Sequence, residues 1–108
     1  MNKVASIISA PAAERRALME AQDLGTWLYR YRMIMFSTQA EMAQEYGVGR
    51  STYAEWERGV LPDRDHMVAL CAYHPEYADR LALMWRVERA VQDWHTKETT
   101  GGGQNDGD

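Results

Sequence analysis

The sequence predicts an all-α fold, a compact bundle of five to six helices containing a helix-turn-helix and followed by a long C-terminal helix. Three observations predict it. Apolar residues recur three and four positions apart, and no stretch alternates as a half-buried strand would. Helix start and stop signals punctuate the chain at short intervals. Two of the short segments are joined by a glycine-containing turn of the kind that links crossed helices.

The elements follow in order. Residues 1–10, with Lys3 and a brief apolar run at Val4, Ala5, Ile7 and Ile8, read as a mobile leader too weak for a signal peptide. Ser9, Ala10 and Pro11 open a helix to about Gln22, with Glu14 in its first turn. Asp23 caps the next, on which Leu24, Leu28, Tyr31 and Met35 share one face. Thr38-Gln39-Ala40-Glu41 has the form of a capping box. The short helix after it, with Ala40, Met42 and Ala43, ends at Tyr46 and Gly47, a glycine suited to a left-handed stop.

A further short helix starts near Arg50 and stops at Gly59. Tyr53 and Trp56 are expected to face inward, and Gly49 to Thr52, Ala54 and Glu55 outward. Leu61 is extended before Pro62, and Asp63 or Asp65 caps a helix to about Tyr73, with Val68 and Cys71 on its inward stripe. Pro75 begins the longest helix, to about His95. Its stripe of Tyr77, Leu81, Met84, Val87, Val91 and Trp94 is heptad-like. Trp85 and Leu83 fall off that stripe, so one face is expected to pack on the domain and another on a second subunit. Residues 97–108, with three consecutive glycines and two aspartates, are too polar to offset their ordering entropy and read as a disordered acidic tail.

Composition narrows the function. One cysteine, Cys71, excludes a disulfide framework within the chain and fits a reducing compartment, and no apolar run is long enough for a bilayer span, so the expected location is cytoplasmic with no membrane partner. Cys71 reads as an inert buried thiol, and His66, His74 and His95 lack the spacing of metal ligands. No nucleophile elbow, phosphate loop or paired metal site is present, so neither an enzyme nor a cofactor is expected.

Within Thr38 to Gly59 each position has a packing reason. Ala43 is small where two helices cross, Gly47 makes the turn and Val48 plugs the corner. Together with Leu24-Gly25, Arg32, Thr38-Gln39-x-x-Met42-Ala43 and Trp56-Glu57-x-Gly59, the segment Leu24 to Leu70 resembles the Cro and phage-repressor (XRE-like) helix-turn-helix family. The family has Gly-Leu between its first two helices where Phe36-Ser37 stand here, so Phe36 is expected to supply the hydrophobic plug. Gly49 stands where a side-chain cap is common.

The resemblance implies double-stranded DNA as partner, with the second motif helix in the major groove. It puts Gln39, at a helix start beside Thr38, on a backbone phosphate, and makes Arg32 and Glu57 a buried structural ion pair. It puts Arg50, Ser51, Thr52 and Glu55 on base edges, while Arg58 and Arg64 are placed for phosphates. The chain is then expected to divide into a leader (1–10), a DNA-binding domain (11–74, motif 38–59), a C-terminal helix for packing and dimerisation (75–96) and the tail (97–108). The implied function is a transcriptional repressor, of the type found in phages and mobile elements, binding an inverted repeat as a homodimer. The rival is an antitoxin-type autoregulator whose segment Pro75–Trp94 grips a toxin.

The formal charge of −4 weighs against a nucleic-acid partner. Residues 97–108 hold −2 of it, and residues 23–66, with five arginines against seven acids, hold another −2. The expectation is weak non-specific binding and a shallow dependence on salt.

Overall fold

Asp23, Thr38 and Asp63 each accept the backbone N–H three residues ahead, from Thr26 at 2.7 Å, Glu41 at 3.1 Å and His66 at 2.9 Å. Each thereby supplies a partner that the first turn of a helix lacks internally. Thr38 completes the capping box, since its own N–H donates to Glu41 Oε1 at 2.8 Å. The computed structural model describes residues 11–107, with side chains at 12–97; the expected leader lies outside this range.

The helices are α1 (Pro11–Met19), α2 (Leu24–Ile34), α3 (Gln39–Tyr46), α4 (Arg50–Glu57), α5 (Arg64–Tyr73) and α6 (Ala78–Gly107), with a 3-10 turn at Pro75–Tyr77 before α6. No strand occurs among the described residues. The backbone of α6 continues past residue 96, where the sequence stops it; the side chains of the expected acidic tail beyond Lys97 lie outside the described residues.

The core forms where α2, α4, α5 and α6 converge on Leu24, Trp27, Leu28, Tyr53, Leu70 and Leu81, all fully buried. α3 packs on α4, α4 on α2, and α5 on α6. Gly47 takes φ +73° and ends α3, a conformation open to glycine at little cost. Gly25 allows α2 to lie against the end of α4: a Cβ there would meet the Glu57 carbonyl oxygen at 2.7 Å and that of Trp56 at 2.9 Å.

Two inward assignments and one outward assignment change. Val68 is exposed, because a helix turns about 100° per residue and Met67 and Leu70 hold the inward face of α5. Ala54 is buried, because α4 is flanked by both α2 and α3 and its covered arc extends past Tyr53. Phe36 is not the plug. It takes φ +55° in the turn after α2 and its side chain is 63% exposed, while Ile34 packs on the core.

The stripe on α6 divides as well. Leu81 and Met84 are 0% and 6% exposed within the single chain, and Tyr77 meets Trp27 edge-on. Leu81 and Met84 are taken up by the chain's own core, and Tyr77 is partly buried against it. Val87, Val91 and Trp94 remain exposed, and Leu83 joins them. α6 is also tied to the bundle by polar contacts: Leu24 N–H donates to Glu88 Oε2 at 2.8 Å, Arg80 to the Ala21 carbonyl at 2.9 Å, and Trp85 Nε1 to the Pro62 carbonyl at 2.7 Å.

His74 is buried among aromatic rings, with centroids 5.0 Å from Trp27, 4.5 Å from Tyr31 and 4.9 Å from Tyr73. The Tyr46 hydroxyl lies 2.7 Å from its Nε2. Burial lowers its pKa to about 4, so the ring is neutral and shares a hydrogen bond with the Tyr46 hydroxyl. Cys71 is half-buried, with its sulfur 3.6 Å from the Ala78 carbonyl; burial and the charge of Asp79 push the thiol up, away from a reactive thiolate.

Candidate nucleic-acid interface

The motif pair is α3 and α4, joined by Gly47, Val48 and Gly49. Ala43 is buried on α3 and Val48 packs on the core in the corner between the two helices. Tyr53 and Trp56 anchor α4 inward. Gly49 caps α4 with no side-chain hydrogen bond, so the first amides of that helix carry no side-chain acceptor and its N-terminus keeps its positive end open.

The orientation of α4 is fixed at its far end. Arg32 Nε donates to Glu57 Oε2 at 2.7 Å and Nη2 to Oε1 at 3.0 Å, a two-pronged pair with both side chains nearly buried. Arg32 also donates to the Ser37 carbonyl at 3.2 Å, which ties the turn between α2 and α3 into the same junction. Gln39 Nε2 adds a third donor to Glu57 at 3.1 Å. Burial alone would raise the Glu57 carboxyl, but hydrogen bonds from Arg32, Tyr53 and Gln39 outweigh it and hold the group below its ordinary value. The pair with Glu57 raises Arg32, so both partners stay charged.

The residues assigned to base edges form the outward face of α4. Arg50, Ser51, Thr52 and Glu55 are exposed, and no hydrogen bond or ion pair engages their side chains among the described residues. Thr38 is exposed at the start of α3, its oxygen already accepting from Glu41. Gln39, half-buried beside it, uses one amide hydrogen on Glu57 and keeps a second donor and its carbonyl. Arg58, the C-terminal cap of α4, and Arg64, the first residue of α5, are both exposed. The structure therefore brings Arg32, Gln39 and Glu57 into one junction and leaves the base-edge set unpaired on one exposed surface.

Sequence reasoning passed over the C-terminal helix here. Arg86 and Arg89 of α6 stand beside the segment that follows α4, across from Arg64 and Arg58. Nothing in local spacing signals this, since Arg64 and Arg86 are 22 residues apart and Arg58 and Arg89 are 31 apart. Among the described residues no three His, Cys, Asp or Glu side chains converge as metal ligands would, and no helix is long and apolar enough to cross a membrane.

Residues 37–76 match the helix-turn-helix family, which spans α3, α4, α5 and the turn that follows. No curated protein and no solved structure matches the chain. The matched family is one of DNA-binding regulatory domains rather than of enzymes. The match supports the resemblance of this segment to the XRE-like helix-turn-helix family, and α4, held at its far end by Arg32 and Glu57, leaves the side chains of its outer face unpaired.

Proposed function

We propose that the chain is a sequence-specific transcriptional repressor that acts in the cytoplasm and binds an inverted-repeat operator as a homodimer. The observation that carries this reading is the face of α4. Arg50, Ser51, Thr52 and Glu55 point away from the core with no intramolecular partner, on a helix locked at its other end by Arg32 and Glu57. Arg50 suits the O6 and N7 edge of a guanine, and Glu55 the amino group of a cytosine. Thr38 and Gln39 at the α3 start, with Arg58 and Arg64 beyond α4, supply phosphate contacts that set the register.

The second subunit would dock on Leu83, Val87, Val91 and Trp94, an apolar strip exposed along α6. Trp94 is 59% exposed and the largest of them, which makes it the natural anchor. A two-fold dimer built this way presents two α4 helices to successive major grooves.

The experiment is selection of a duplex from a random pool by the wild-type chain, followed by titration. Arg50→Ala should weaken binding to the selected duplex by about 1–3 kcal/mol and relax preference at one base pair. Equal binding of wild type and variant would remove Arg50 from base readout. Val91→Asp with Trp94→Asp should yield a monomer by sedimentation, and a wild-type monomer at high micromolar concentration would sink the dimer.

A further inference from the structure

The arginines of this chain divide into two groups. Arg30 and Arg80 donate to the carbonyls of Ala17 and Ala21, Arg32 holds Glu57, and Arg15 lies 3.8 Å from Glu76. Apart from Arg16 on α1, those whose side chains make neither a hydrogen bond nor an ion pair among the described residues are Arg50, Arg58, Arg64, Arg86 and Arg89. Arg50 begins α4 and Arg58 ends it, and the other three neighbour the segment that follows.

Two grooves, of about 590 and 340 Å³, separate that segment and α5 from α6. Arg58 and Arg89 line the first, with Asp93; Arg64 and Arg86 line the second, which has no acidic residue among the described residues of its wall. Arg89 lies over the ring of Trp85, 5.4 Å from its centroid, and Trp85 is fixed by its hydrogen bond to the Pro62 carbonyl. A guanidinium held on an indole face has lost part of its freedom before any ligand arrives.

The three faces of α6 keep this site clear of the apolar strip. At about 100° per residue, Leu81, Met84 and Glu88 define the side facing the core. Leu83, Val87, Val91 and Trp94 fall on one flank, and Arg86 and Arg89 on the opposite one. A helix so divided can meet a second subunit and a polyanion at once.

We propose that Arg86 and Arg89 of α6, facing Arg64 and Arg58 across these grooves, form a phosphate clamp that holds the DNA backbone alongside the recognition helix. The inference rests on the DNA-binding reading above and extends the interface beyond the matched helix-turn-helix into the C-terminal helix. It also locates a cationic surface on a chain of net charge −4, because the cations contributed by α6 are invisible to a count over the motif alone. Phosphate contacts carry no sequence information, so the clamp adds affinity and salt dependence without altering base preference.

The test is the slope of log affinity against log salt for the selected duplex and for a random duplex of equal length. Arg86→Gln with Arg89→Gln should weaken binding to both duplexes alike and reduce the slope by about 2, leaving base preference unchanged. Arg15→Gln with Arg16→Gln removes the same charge from α1 and should leave the slope as it is; thermal melts of both variants confirm that they fold. Arg86→Lys with Arg89→Lys should keep most of the slope. An unchanged slope in the α6 variant, or an equal loss in the α1 variant, overturns the clamp while leaving base readout by Arg50 standing. A wild-type chain that binds neither duplex overturns both readings.

Discussion

Gln39 and Glu57 are joined by a hydrogen bond of 3.1 Å between the first residue of α3 and the last residue of α4. The same carboxylate oxygen accepts from Arg32 at 3.0 Å. A residue at the helix start that suits a backbone phosphate is thus mechanically coupled to the helix that suits base edges.

Arg32→Ala should therefore be costly. It strands a nearly buried carboxylate, at about 3–5 kcal/mol of stability by urea denaturation. Arg32→Met combined with Glu57→Leu should lose much less than the sum of the two single changes, because neither charge is then left alone. Additive losses would show that the pair acts independently.

Gly25→Ala should destabilise the fold by about 1–3 kcal/mol. The new methyl group meets backbone carbonyls, which have no rotamer through which to yield. It should also weaken DNA binding, since the atoms it displaces belong to the end of α4. A neutral melt would mean that α2 and α4 separate freely.

Phe36→Gly should stabilise the protein by up to about 1 kcal/mol, read as a rise in the melting temperature. The residue takes a left-handed φ of +55° that glycine adopts without strain, and its exposed ring contributes little packing. A loss of stability would show that the ring makes a contact worth more than the strain.

His74 predicts a pH dependence. Its native pKa of about 4 lies below the value of about 6.5 for an unfolded histidine, so the unfolded chain binds the proton more readily. The stability linked to neutral His74 is fully present above pH 6.5 and is lost as the pH falls toward 4, by roughly 3 kcal/mol. His74→Phe should flatten that part of the profile. An identical profile in wild type and variant would show that the ring does not titrate in this window.

The sequence reveals those features that neighbouring residues settle among themselves. The caps at Asp23 and Thr38, the left-handed Gly47 and the inward pair Tyr53 and Trp56 depend on contacts within a turn or two. Their signals lie in adjacent letters. The ring cage around His74, the bond from Leu24 to Glu88 and the placing of Arg89 beside Arg58 join residues far apart in the chain. Such meetings follow from how helices dock, which spacing alone does not encode. Trp27 was hidden for a related reason: the stripe from Leu24 to Leu28 steps over it, while α2 is covered broadly enough to bury it completely.

The bonds from α6 to Leu24, Ala21 and Pro62 bear on where this protein can be cut. The matched family ends at residue 76, before α6 begins. A chain severed there would leave an amide and two carbonyls without their partners and bare the core face that Leu81 and Met84 cover. The unit of recognisable ancestry is thus smaller than the unit that folds. Moving this specificity onto another protein means carrying the C-terminal helix along, and any fusion joint belongs outside Trp94.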